Sequence, residues 1–160
     1  CFELVDSEVQ RDNRKSAYNE RHDQLKRAEE ILNVENLGSV KIDQLNKSKF
    51  DDLLIYKRAL HVVTENQRTL DAKNSMLKQD MKQFGHLMNL SHLSYSQDFD
   101  ASTKDVDLLT KRSIESGALG CRLTGGGFGG FTVSIIAKKN YEHWYNNMSK
   151  YYSGEKFFKV

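Results

Sequence analysis

Gly117-Ala-Leu-Gly-Cys-Arg-Leu-Thr-Gly-Gly-Gly-Phe-Gly-Gly-Phe-Thr-Val133 is the stretch on which the fold turns. On its left flank, Cys121-Arg122-Leu123 reads as a short strand. On its right, Phe131, Val133, Ile135 and Ala137 form one face of a longer strand, with Thr132, Ser134 and Ile136 on the other. Between the strands sit Thr124 and the run Gly125-Gly126-Gly127-Phe128-Gly129-Gly130. Seven of the ten glycines fall between Gly117 and Gly130. Glycine permits positive φ and close backbone approach, at a cost in folding entropy, so such a density must serve a close contact. Two contacts qualify: a phosphate cradled by successive N–H groups, or a tight hairpin packed under another element.

Upstream of this run the period is helical. Tyr18, His22, Leu25, Ala28 and Leu32 recur at three and four residues, giving one apolar stripe. Leu37-Gly38-Ser39 breaks it, Gly38 suiting a C-cap or turn. A second pattern runs from about Phe50 through Leu53, Leu54, Leu60 and Val63 to Leu70. The third is the cleanest: Leu77, Met81, Phe84, Met88, Ser91 and Tyr95, taken as core. After a loop at 97–103, Ser102 or Thr103 can cap a helix that carries Val106 and Leu109, with Asp105 and Asp107 at its positive end, and Gly117 ends it. Downstream, Tyr141, Trp144, Tyr145 and Met148 mark a last amphipathic helix, and Phe157-Phe158-Lys159-Val160 a closing strand. Helices followed by an antiparallel sheet predict an α+β domain over residues 1–160.

Composition narrows the function classes. With 24 basic and 22 acidic residues mixed along 160, no concentrated basic face points to nucleic acid. No run approaches the ~18 apolar residues of a membrane helix. Cys1 and Cys121 have neither a disulfide framework nor metal spacing, and are expected as reduced thiols in a cytoplasmic protein. No pair of histidines has a third ligand at metal spacing, so no metal site is expected, and His61 and His92 read as structural. A chain that opens on Cys1 is expected to be a piece of a longer one. It contains no proline, for which the sequence offers no account.

Three phosphate motifs fail on context. A Walker loop ends in Gly-Lys-Ser/Thr, whereas Gly130 is followed by Phe131-Thr132. Gly125, Gly127 and Gly130 satisfy GxGxxG, but a strand follows where a dinucleotide site needs a helix. A protein-kinase glycine loop with Lys138 on the next strand needs a catalytic loop downstream, and only 22 residues remain.

With its flanks, the run closely resembles the third motif of the GHMP small-molecule kinases in its galactokinase form: threonine, three glycines, an aromatic and two glycines. His61-Val-Val-Thr-Glu-Asn66 with Arg68, Phe84-Gly-His-Leu-Met88, Ser91-His92 and Ser16-Ala-Tyr18-Asn-Glu-Arg21 are similar to further segments of the C-terminal half of galactokinases. The chain departs from that pattern at Tyr95-Ser96-Gln97, near Lys104 where a proline is usual, and over Glu8–Lys15, which looks altered.

The resemblance implies a GHMP-kinase C-terminal domain, helices packed on a small antiparallel sheet with the glycine-rich loop between two strands. It implies ATP-dependent phosphorylation of galactose at its C1 hydroxyl. Tyr18 is then the sugar-contacting residue, and Thr124, Gly125, Gly126, Gly127, Phe128, Gly129 and Gly130 form a loop of the nucleotide site. The catalytic residues, any Mg2+ ligands and the ATP phosphate loop belong to an N-terminal domain absent from these residues. The 160 residues alone are therefore expected to be inactive. The alternatives are a non-catalytic sugar sensor, or a stand-alone subunit or remnant that only associates with a partner.

Overall fold

A computed structural model describes residues 1–9 and 14–160. Residues 10–13, the middle of the altered Glu8–Lys15 run, lie outside the described residues. The element order is β1 (Phe2–Asp6), α1 (Arg14–Leu32), α2 (Leu53–Leu77), α3 (Met81–Gln97), α4 (Lys104–Glu115), β2 (Gly120–Leu123), β3 (Phe131–Ile135), α5 (Tyr141–Met148) and β4 (Phe157–Lys159). Three short 3-10 turns link α1 to α2. The four strands form one antiparallel sheet in the order β2-β3-β1-β4, with Cys121 opposite Ser134, and Leu4 between Val133 and Phe158. This is the α+β arrangement expected, with the glycine-rich loop joining β2 to β3. No helix among the described residues is long and apolar enough to cross a membrane.

Helix boundaries follow from their caps. Asp52 accepts from Leu54 N–H at 2.8 Å, so α2 starts after Phe50, which packs in the core edge-to-face on Tyr56. Asp80 accepts from Gln83 N–H at 2.9 Å and opens α3. Leu77 therefore ends α2 rather than leading the third stripe, and it is 74% exposed. Thr103 caps α4 by accepting from Val106 N–H, and Gly117, at φ +109°, follows its end.

Two buried clusters hold the chain together. Ala28, Leu37, Val40, Leu45, Phe50, Ile55, Ala59 and Val63 fill the space among α1, α2 and the 3-10 turns. Val5, Leu109, Ala118, Ile136, Trp144 and Met148 join the sheet to α4 and α5. Full burial of a side chain such as Met148 contributes about 1.5–3 kcal/mol. The sheet face toward α4 and α5 is partly polar, and its polar atoms are paired. Trp144 Nε1 donates to Ser113 Oγ at 3.0 Å, the Ser113 and Ser134 hydroxyls lie 2.8 Å apart, and Ser134 Oγ donates to Cys121 Sγ at 3.2 Å.

α3 packs on α2 and crosses β2 at close range. A Cβ on Gly120 would fall 2.2 Å from Gly85 O, so helix and strand touch backbone to backbone. Two differences from the sequence expectation stand out. β1 is a central strand, between β3 and β4, where no N-terminal strand was expected. The apolar stripe of α1 is buried only at Ala28; Tyr18 and His22 are exposed, and it is Arg21 that is buried in the first turns.

Candidate functional site

The glycine-rich loop has a clamped base and an open tip. Gly125, Gly127, Phe128, Gly129 and Gly130 all have positive φ, between +58° and +114°. Thr124 N–H donates to Phe131 O at 2.9 Å, closing the loop over the β2–β3 ladder. Phe128 N–H donates to Ala101 O at 2.7 Å, and Gly130 N–H to Ser7 Oγ at 3.1 Å. Gly127, Gly129 and Gly130 are buried, Thr124 and Phe128 half-buried, Gly125 and Gly126 exposed.

The close approach that the glycines imply is in part internal. A Cβ on Gly127 would lie 2.7 Å from both Ala101 O and Tyr95 Oη, and one on Gly129 2.9 Å from Val9 Cβ. These glycines seat the loop on the 98–101 turn and on the segment after β1. Gly126 differs: it is exposed and lies outside the positive-φ set, so its own backbone conformation does not require glycine.

Tyr18 projects from the first turns of α1 and is 59% exposed, which removes it from the core. One turn further on, Arg21 is buried, and its guanidinium carbon lies 5.9 Å from the centre of the Phe128 ring. The helix carrying Tyr18 and the loop carrying the glycines are thus neighbours, though more than a hundred residues separate them.

What joins them is the 98–101 turn, which the sequence placed in a loop at 97–103 without giving it a role. Arg21 Nε donates to Phe99 O at 2.8 Å, and its Nη2 donates to Asp100 O at 2.8 Å and to Asp100 Oδ2 at 2.7 Å. Arg58, also buried, donates to Asp98 O and, from Nη2, to Asp100 Oδ2 at 3.2 Å. His61 stacks on Phe99 with ring centres 4.7 Å apart, and its Nδ1 lies 3.0 Å from Ser94 Oγ. Ser94 Oγ donates in turn to Asp98 Oδ2, so His61 serves as the donor to Ser94. Burial pushes the His61 imidazole down to about 4, which keeps it neutral. The available sequence signal was two arginines on otherwise amphipathic helices, at positions that only tertiary contacts identify as buried.

A second polar group lies beside β2. His92 Nδ1 accepts from Leu123 N–H at 3.4 Å, and its Nε2 lies 3.1 Å from Asp107 Oδ1. Asp107 also accepts from Ser96 and Ser102. Burial lowers His92 below the usual imidazole range, although Asp107 opposes that shift. A cavity of about 570 Å³ between α3 and α4 adjoins this group, away from Tyr18 and the glycine loop. Among the described residues no group of three His, Cys, Asp or Glu side chains is placed to hold a metal ion.

The sequence profile of the C-terminal part of GHMP kinases matches residues 72–153. The chain belongs to the GHMP kinase family. Its C-terminal-domain fold is seen in solved relatives. The crystal structure of Lactococcus lactis galactokinase complexed with galactose superposes with a TM-score of 0.90 at 27% identity, covering 98% of this chain and 44% of that one. The L. major mevalonate kinase complex with R-mevalonate gives 0.59 at 17% identity, a likeness of fold alone over 95% of this chain and 38% of that one. Among curated proteins, the galactokinase of Levilactobacillus brevis is 38% identical over 157 residues. This GHMP-kinase chain aligns over 93% of its length but spans only about 40% of the length of that relative.

Proposed function

We propose that the chain supplies the C-terminal part of a galactokinase, transferring the γ-phosphoryl group of ATP to the C1 hydroxyl of galactose. The observation that carries this reading is the adjacency of α1, which presents an exposed Tyr18, to a glycine loop with a clamped base and an exposed tip. Phosphoryl transfer is positioning plus charge stabilisation, so a sugar-facing group and a phosphate-facing backbone must share one rigid frame. In this reading Tyr18 orients the sugar through its hydroxyl. Gly125 and Gly126 let the polyphosphate approach the backbone, where N–H groups without side chains can donate to it.

The catalytic acid–base group and the metal ligands come from the other part of the protein. The described residues hold no group of three His, Cys, Asp or Glu side chains placed for a metal ion. The similarity to galactokinases along nearly the whole chain supports the sugar assignment.

The test joins this chain to the N-terminal part of the Levilactobacillus brevis galactokinase and measures ATP-dependent galactose 1-phosphate. Product from the chimaera, and none above background from the 160 residues alone, is the expected pair. Product from the 160 residues alone would overturn the division of labour. A folded chimaera that binds galactose without turnover would favour the sensor alternative.

A further inference from the structure

We infer that Arg21 is a positioning residue, which fixes the spacing between the helix that presents Tyr18 and the glycine-rich loop. The inference rests on the reading of Tyr18 and the loop as two sides of one site. Around Arg21 on α1, Ser16, Tyr18, Asn19, Glu20 and His22 are exposed, whereas Arg21 is 8% exposed. A buried guanidinium is costly unless its donors are satisfied, and here three bonds go to a single turn. They reach Phe99 O, Asp100 O and Asp100 Oδ2 at 2.7–2.8 Å, while Nη1 reaches Gln24 Oε1 at 3.3 Å on α1 itself.

The contacts form a continuous path. Arg21 ties α1 to Phe99 and Asp100. The next residue, Ala101, donates its N–H to Tyr95 O at 3.1 Å, which anchors the turn to α3. Ala101 O accepts the Phe128 N–H at 2.7 Å, and the backbone of Gly127 packs against Ala101. The Arg21 guanidinium itself faces the Phe128 ring. Arg58 and His61 hold the same turn, but from α2. Loss of Arg21 therefore leaves the turn formed and removes every direct bond from it to α1, leaving only the indirect link through Gln24 Oε1, which accepts from Arg58 Nε at 3.0 Å.

The planar fork explains why arginine and not lysine stands here. One ammonium can satisfy one or two of the three acceptors, which lie on both backbone and side chain of adjacent residues. Asp100 sits at φ +53°, a conformation that aims its carbonyl and carboxylate at the same guanidinium nitrogen.

Two measurements separate this role from a general contribution to stability. In the 160-residue chain, amide exchange at Phe128 is compared between wild type, Arg21→Lys and Arg21→Gln, with the amides of α2 as internal reference. Exchange at Phe128 is expected to quicken by about tenfold or more in Arg21→Gln, and less in Arg21→Lys, while α2 stays unchanged. Unaltered protection at Phe128, or an equal loss throughout the chain, overturns the inference. If Arg21→Gln does not fold, Arg21→Lys and Asp100→Asn decide in the same way.

In the chimaera, Arg21→Lys is expected to lower kcat by about tenfold, with KM for ATP and for galactose each changed by less than about threefold. Misplacement of two bound partners acts on the transition state more than on either partner's binding. Unchanged kcat overturns the inference. No product even with Arg21 intact would instead sink the kinase reading, and the exchange measurement then still decides whether Arg21 braces the loop.

Discussion

Gly127→Ala isolates what the glycine loop demands of its own fold. At φ +89° an alanine carries left-handed strain of about 1–2 kcal/mol. Its Cβ would also lie 2.7 Å from Ala101 O and from Tyr95 Oη and 3.1 Å from Ala101 Cβ. Ala101 O cannot retreat freely, because it accepts the Phe128 N–H, so the clash adds an overpacking cost of about 1–3 kcal/mol. Stiffening of the unfolded chain returns about 0.4–1 kcal/mol. The net loss is then about 2–4 kcal/mol. Gly117→Ala is the control: φ is +109°, but the nearest atom, His143 Cδ2, lies at 3.9 Å, so only the strain remains and the net loss is about 1 kcal/mol. Urea unfolding followed through Trp144, the single tryptophan and fully buried, reads both variants. Equal losses for the two would refute the packing argument and return Gly127 to the set of residues explained by a bound ligand alone.

Three further outcomes follow from the same structure. In the chimaera, Tyr18→Phe is expected to raise KM for galactose by several-fold and leave KM for ATP nearly unchanged; the reverse pattern removes Tyr18 from the sugar side. His61 is held near 4 by burial, against about 6.5 when unfolded, so the folded state binds fewer protons between those values. Stability is complete above about pH 6.5 and falls by about 3 kcal/mol as pH drops to about 4. Urea midpoints for His61→Gln should therefore decline less over that window than those of wild type, and parallel decline would contradict the assignment. Cys121 is fully buried beside Ser134, and burial pushes its thiol above the usual range, whereas Cys1 is only half-buried. A thiol reagent at pH 8 should modify one cysteine in the folded chain and two after denaturation, and fast modification of both when folded would be the contrary result.

Most helices were legible because their stripes are long and their breaks carry capping residues. Asp52, Asp80 and Thr103 set three starts, and only the first two moved an expected boundary. The glycine-rich loop between two strands was legible from its density together with the two-residue alternation on either side. β1 was not, because Phe2-Glu-Leu-Val-Asp6 is short and places Glu3 on the buried face, where Tyr141 donates to it at 3.2 Å. Nor could the sequence divide the glycines by purpose. Gly120 serves a helix–strand crossing at Gly85, Gly127 and Gly129 seat the loop, and of the two exposed glycines at its tip only Gly126 lacks a demanding φ. The link from Tyr18 to the loop passes through Arg21, Asp100 and Ala101, contacts that span nearly eighty residues and leave no periodic trace. Arg21 lay inside a segment similar to galactokinases, yet its burial was visible only in three dimensions.

The most direct measurement is the intact mass of the native protein in its source cells, detected with an antibody against this chain. A species well above twice 18.5 kDa, carrying ATP-dependent galactose phosphorylation when captured, is the predicted result. A stable species of 18.5 kDa with no larger form and no captured activity would contradict the reading of these residues as the C-terminal part of a galactokinase.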